Sequence, residues 1–282
     1  MIKQHALKRQ DAMLPIYLLL LLFCALALVP FLYMVATAML PEAYSLPYPP
    51  MLLPHSLYMD NFLKAWQANH FDSYFINSIF VSAMSTVAII FFSCAAAYGF
   101  ARMDFPGKNI LFLLLLFSMM VPTLTNLVSQ FLLIKSLRLV DSYLGLILTY
   151  IGTGVAANTF FLRSSFLTLP KALEESVVID GGGNWTIFFR IVLPLSKPAI
   201  GTFSILAFSN VWDEFLLALT FLKTPAKRTL PIALKLFQGQ NVNNWSLIFA
   251  ASLIALMPIL LVYIVLQKQL IRGGAMDGMV KE

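Results

Sequence analysis

The chain has 282 residues, 60% hydrophobic and only 11% charged, with a mean hydropathy of +0.82. Soluble domains run at about 45–50% apolar and about 25% charged, so lipid must be the solvent for most of this chain. The same figures exclude intrinsic disorder, which needs a polar, charged composition, and leave no room for a large soluble catalytic domain. Two cysteines, Cys24 and Cys94, both in apolar runs, exclude a disulfide scaffold. A net charge of +6 would suit nucleic acid. Basic residues also collect on the cytoplasmic loops of membrane proteins, and that is the reading adopted, with no nucleic-acid partner.

A transmembrane helix needs about 20 apolar residues. Six segments qualify: 14–40, 74–101, 109–134, 143–162, 199–222 and 247–266. The first follows Lys3, Lys8 and Arg9, and Ala36-Thr37-Ala38 resembles a cleavage site. Its apolar run far exceeds a secretory h-region of about 7–15 residues, so it is expected to stay as a helix, kinked at Pro30. The outer loop 41–73 holds Pro41, Pro47, Pro49, Pro50 and Pro54, which favour an extended path. Only the fifth span carries charge, as Asp213 and Glu214. With the N-terminus inside, twelve Lys and Arg fall on inner segments and seven on outer ones. That bias predicts both termini in the cytoplasm. Lys223, Lys227, Arg228 and Lys235 in the last outer loop run against it. The predicted fold class is an all-α polytopic membrane protein: one transmembrane domain over 1–282, with no internal repeat.

The sequence has no G-x-x-x-x-G-K-[ST] phosphate loop, so this chain is not expected to hydrolyse nucleotide. Gly152, Gly154 and Ala157 formally fit a dinucleotide fingerprint. They lie inside a span with no strand before them, and read better as small residues for close helix packing. His5, His55 and His70 have no ligand spacing, so neither a metal site nor a catalytic residue is assigned.

The segment 163–198 is the most polar internal stretch on the inner side. Pro170 suits a first helical turn, and Glu174 and Glu175 follow where carboxylates favour a helix N-terminus. Leu173, Val177 and Val178 give an apolar face. Gly181, Gly182 and Gly183 end the helix in a sharp turn. A second short helix, 185–193, is closed by Pro194 and Pro198. Periodicity alone leaves open an ordinary interfacial amphipathic loop.

Residue spacing supplies more. Glu175-Ser176-Val177, three residues, Gly181, nine residues, Ile191, one residue, then Leu193-Pro194 resembles the EAA loop of ABC importer permeases. Ser176 and Val177 stand where that family has two alanines, and Asp180 suits its sugar-transporting branch. Asn61-Phe62, Asn77-Ser78, the run 97–102, the run 105–108, Trp212-Asp213-Glu214-Phe215 and the tail from Gly273 also look like that branch. The resemblance covers nearly the whole chain.

It implies a type I ABC importer permease fold with a cytoplasmic coupling helix. Glu174, Glu175, Ser176, Asp180, Gly181, Ile191, Leu193 and Pro194 would dock on the ATPase. It implies as partners a second permease subunit in a heterodimer, two copies of a P-loop ATPase that binds ATP and Mg, and an extracytoplasmic solute-binding protein. The location implied is the bacterial or archaeal plasma (inner) membrane. Gln238, Gly239, Gln240, Asn241, Asn243 and Asn244 would reach the binding protein's sugar cleft as a flexible, amide-rich loop. A charge at the bilayer centre costs roughly 2.5–3.5 kcal/mol on insertion scales, so Asn210, Trp212, Asp213 and Glu214 line either a translocation pathway or a structural contact between spans. The function implied is import of a sugar or oligosaccharide by alternating access. A polyol, a glycerol-phosphate-like compound or a uronate oligomer remains an alternative substrate. A secondary transporter is a remote alternative, with only Asp213 and Glu214 for ion coupling.

Overall fold

The computed structural model describes residues 2–41, 43, 46, 48–50, 52–54, 57–240 and 244–279, with backbone alone for 2–14, 69, 123 and 270–279. Among these residues the regular structure is helical: α1 Ile2–Ala38, α2 Asp60–Gln67, α3 Phe71–Arg102, α4 Lys108–Met120, α5 Thr123–Ser136, α6 Tyr143–Leu167, α7 Ala172–Ile179, α8 Asn184–Ile187, α9 Leu193–Leu195, α10 Lys197–Trp212, α11 Leu216–Phe221, α12 Leu230–Gln240 and α13 Trp245–Met279. Four stretches are single helices long and apolar enough to cross a membrane: Pro15–Ala38, Phe71–Arg102, Tyr143–Leu167 and Trp245–Gln269. They match the first, second, fourth and sixth predicted spans. Pro30 lies inside α1 without ending it.

The other two spans differ from expectation. The third is broken: α4 and α5 meet at 110°. Pro122 lacks an N–H and disfavours the helical region for Val121 before it, and Val121 is extended with ψ 119°. The fifth is interrupted at 213–215, so α10 ends at Trp212 and α11 begins at Leu216. At its other end α10 meets the helical run Asn184–Leu195 at 76°.

The chain forms two compact units, 1–71 with 234–255, and 72–233 with 256–282. In the first unit, none of residues 15–32 is buried, so this face of α1 needs lipid or another chain around it. Asn61 is buried and donates to the carbonyls of Ala38 (2.8 Å) and Leu40 (2.6 Å). The first is an acceptor that the end of α1 leaves unsatisfied, and the second lies two residues beyond it. The Trp245 N–H reaches the Ala43 carbonyl, and Phe71 meets Trp66 and Phe237 edge-on.

In the second unit one apolar cluster joins α3, α5, α6, α10 and α11 through Val81, Ile89, Ile134, Leu146, Val211 and Phe221. Gly154 lets α6 approach α3 closely: a Cβ there would stand 2.9 Å from Ile89 Cδ1. That is the packing expected of small residues in a span. A second cluster gathers Cys94, Ala97, Tyr98, Leu162, Phe166, Ile187, Phe188 and Val192. It joins the last turns of α3 and α6 to the 187–192 stretch.

Candidate functional site

The 172–195 segment is a helix–turn–helix whose turn follows from local chemistry. α7 is capped by Asp180, and Gly181 adopts φ +80°. The Gly181 N–H donates to the Val178 carbonyl (3.0 Å) and the Gly182 N–H to the Val177 carbonyl (2.8 Å). These two bonds define a Schellman motif, which closes a helix with a left-handed residue after the cap. Of the three glycines, only Gly181 needs positive φ. Gly182 is needed for space, since a Cβ would lie 2.5 Å from Val177 Cγ1. Gly183 is extended, with open space around it.

After the turn, α8 runs into a π-helical stretch, Phe188–Val192, and then α9. Pro194 cannot donate to the Arg190 carbonyl, and the Leu193 N–H reaches back to Phe188 instead. The second helix therefore continues past Pro194 to Leu195, rather than closing at Leu193 as predicted, and bends at Ser196 into α10. Ile191 and Leu193 are half-buried, and Pro194 is exposed. Glu175, Ser176 and Asp180 are exposed, as are the apolar Val178, Ile179 (85%), Trp185 (72%) and Phe189. The segment thus buries one apolar side through Ile187, Phe188 and Val192 and turns a second one outward.

Glu174 behaves unlike Glu175. Its carboxylate lies 2.8 Å from Arg102 Nε in an ion pair whose side chains are 17% and 4% exposed. Arg102 also donates through Nη2 to the carbonyls of Phe166 (2.8 Å) and Leu169 (2.6 Å). One turn earlier, the Tyr98 hydroxyl donates to the Asn184 carbonyl (3.3 Å), and its ring packs on Phe188. The sequence carried both residues inside the quoted run 97–102, where the only signal was a charge at the end of an apolar helix.

At the break in the fifth span the four candidates separate. Glu214 accepts from the N–H groups of Leu217 (2.7 Å) and Ala218 (3.0 Å), and from the Tyr150 hydroxyl (2.7 Å). It caps α11 and ties it to α6. Trp212 is buried against Phe75 and Phe208. Asn210 and Asp213 are exposed; lying three residues apart, they are neighbours on the helix surface.

Beyond α11, Asp141 forms a clamp. Its carboxylate accepts from the N–H groups of Lys223 and Thr224 (2.9 Å each), the Thr224 hydroxyl (2.6 Å) and Lys227 Nζ (3.1 Å). The hydrogen bonds from Thr224, led by its hydroxyl, with those from Lys227 and Lys223, hold this carboxyl well below the usual carboxylate range. Asn77 donates to the carbonyls of Ala226 and Arg228, and Ser78 accepts from the Leu230 N–H. Much of the predicted 223–246 loop is then helical: Gln238, Gly239 and Gln240 form the exposed end of α12 rather than a flexible loop. Asn244 accepts from the Leu247 N–H (3.2 Å), an N-cap for α13. Asn241 and Asn243 lie outside the described residues.

Helical structure throughout the regular part of the described residues, long exposed apolar helices, a glycine-hinged helix pair and an interrupted apolar stretch carrying carboxylates form the pattern of a membrane transport component. Residues 90–273 match the family described as "Binding-protein-dependent transport system inner membrane component", and the chain belongs to it. It is 37% identical over 226 residues to the arabinooligosaccharides transport system permease protein AraQ of Bacillus subtilis, covering 80% of each chain. It is 32% identical over 252 residues to the sulfoquinovosyl glycerol transport system permease protein SmoH of Agrobacterium fabrum, covering 89% of this chain and 88% of that one. A crystal structure of a bacterial ABC transporter that imports the acidic polysaccharide alginate contains a chain of the same fold. Its TM-score is 0.77 at 23% identity, over 92% of this chain and 97% of that one.

Proposed function

We propose that this chain is one permease subunit of an ABC importer for a sugar or oligosaccharide. It would work with a second permease subunit, two copies of a P-loop ATPase and an extracytoplasmic binding protein. The observation that carries the reading is the Gly181 turn. The spacing that resembles the EAA loop folds as two short helices around a Schellman motif, with Ile179, Trp185 and Phe189 turned outward. Such a rigid apolar knob suits a groove on an ATPase. Glu175, Ser176, Asp180 and Gly181 then belong to the docking face, and Ile191, Leu193 and Pro194 set the bend into α10. ATP and Mg would be bound by the ATPase, not by this chain. Both termini and the 163–198 segment would lie in the cytoplasm.

The saccharide assignment is supported by the transport substrates in the relatives' names. The binding-protein partner is supported by a second alginate transporter structure, solved with a pentasaccharide-bound periplasmic protein (TM-score 0.66). Asn210 and Asp213 are the pathway candidates, because Trp212 and Glu214 already have structural partners. Closure of the ATPase would reach the spans as rotation, with the bias set by the difference in binding between nucleotide states.

The test is reconstitution in proteoliposomes with and without the ATPase. The isolated chain should hydrolyse no ATP, and the full complex should take up saccharide in an ATP- and binding-protein-dependent way. Uptake by this chain alone, driven by an ion gradient, would refute the assignment.

A further inference from the structure

Covalently, the 172–195 segment is attached to α6 before it and to α10 after it. The structure adds a third attachment that the chain order does not reveal, to the last turn of α3. Arg102 is the last residue of α3. Its Nη2 satisfies the Phe166 and Leu169 carbonyls at the end of α6, where a cation is favoured by the helix dipole. Its Nε side faces Glu174 in the first turn of α7. Tyr98, one turn back on the same helix, holds the start of α8 through the Asn184 carbonyl and the Phe188 ring. The two helices of the segment are therefore each fastened to α3, one by Arg102 and one by Tyr98.

We infer that Arg102 is a positioning residue for coupling: with Tyr98 it makes the end of α3 the element through which movement of the 172–195 segment reaches the spans. This rests on the proposed docking of that segment on an ATPase. An exposed segment held only by its two chain ends could tilt on the ATPase without moving the bundle. One pinned to a 32-residue helix cannot. It also divides the two glutamates. Glu174 serves the internal link, and Glu175, exposed beside it, stays on the docking face.

The guanidinium suits this work because its planar fork can serve carbonyls and a carboxylate at once. A lysine carries its three donors on one compact ammonium, without the fixed spread of the fork. Breaking a buried ion pair by removing one partner leaves an uncompensated charge, so Arg102→Gln is informative about transmission only if the complex still assembles. Tyr98→Phe is the gentler companion, removing one hydroxyl and keeping the ring on Phe188.

The experiment uses the full complex, with its second permease, ATPase and binding protein, in proteoliposomes. It measures the ATPase retained, the stimulation of hydrolysis by loaded binding protein, and the ATP consumed per solute imported. Coupling between sites is typically worth about 5–150-fold. For Arg102→Gln we expect about a tenfold loss of stimulation and a raised ATP-to-solute ratio with the ATPase retained. Arg102→Lys should fall between Arg102→Gln and the parent chain, and Tyr98→Phe should shift in the same direction by a smaller factor. A parental ratio and stimulation in assembled Arg102→Gln complexes overturns the inference. If Arg102→Gln does not assemble, Tyr98→Phe and Arg102→Lys decide, and parental coupling in both overturns it. Failure of the parent chain to bind any ATPase refutes the proposed function instead, which keeps the two failures apart.

Discussion

Replacing Gly181 isolates the turn from everything around it. The residue sits at φ +80°, and nothing lies within 4 Å of where a Cβ would stand. Alanine there meets no clash, so its cost is torsional, roughly 1–2 kcal/mol for a left-handed L-residue. Valine, restricted at χ1, should approach about 3 kcal/mol. At about 1.4 kcal/mol per tenfold, the closed turn loses a factor of roughly five to thirty for alanine and of roughly a hundred for valine. Asparagine tolerates this region and should lie closest to glycine. Gly183 is the internal control: its backbone is extended and its surroundings open, so Gly183→Ala should be neutral or stabilise by up to about 1 kcal/mol. The assay is co-purification of the ATPase with the permease pair, followed by transport in vesicles. The expected order of loss is valine, alanine, asparagine at 181, with alanine at 183 unaffected. If Gly181→Val retains full ATPase binding and transport, or if Gly183→Ala is the more damaging change, the turn is not what docking needs.

Four further outcomes are expected. A cysteine at Leu57, which is exposed, should react with an impermeant reagent in intact cells, and one at exposed Ser176 should react only after lysis; the opposite pattern inverts the topology. Alanine replacement of Gln238, Gly239 and Gln240 should reduce transport and leave ATPase co-purification intact, whereas unchanged transport removes the binding-protein role from the end of α12. Glu214→Ala should lower the thermal stability of the complex, since losing a cap costs about 1 kcal/mol, while Asp213→Asn should lower transport with little change in unfolding temperature; the two effects exchanged would reverse the roles drawn for these neighbours. Asp141→Asn should lower the unfolding temperature at pH 7. Because the folded carboxyl is held below its unfolded value, its contribution is fully present above the unfolded value of about 3.9 and fades as pH falls through the lower folded value. The difference between Asp141→Asn and the parent should therefore hold at pH 5 and shrink only below about pH 4, and a difference that shrinks between pH 7 and 5 would contradict the clamp.

Hydropathy located four spans well because a long uncharged run in lipid has one stable form, the helix. The breaks were harder to read. Pro122 lies in the third predicted span and explains its 110° bend, yet hydropathy averages over a single residue. Asp213 and Glu214 were visible as charges, but which one was structural depended on Tyr150, sixty-four residues away. The EAA-like spacing placed the turn at Gly181, because a left-handed cap has a strong residue preference. Arg102 and Asp141 could not be placed in the same way. Many of their partners are backbone carbonyls and N–H groups, which no motif records, and their side-chain partners Glu174, Thr224 and Lys227 lie more than seventy residues away in the chain.

The short length of α10 bears on the lipid. Sixteen residues at 1.5 Å each span about 24 Å, against a hydrocarbon core of about 30 Å. A helix of this length entering at one face of that core would stop short of the other, and the irregular residues 213–215 would then fall within it. Glu214 makes this tolerable by saturating its own carboxylate, while Asp213 must find water, a headgroup or a neighbouring chain. Thinner bilayers bring that carboxylate to the interface and thicker ones draw it inward, at a cost of fractions of a kcal/mol per Å. Acyl-chain length thus becomes a tuning variable for this transporter, set by where a single helix happens to end.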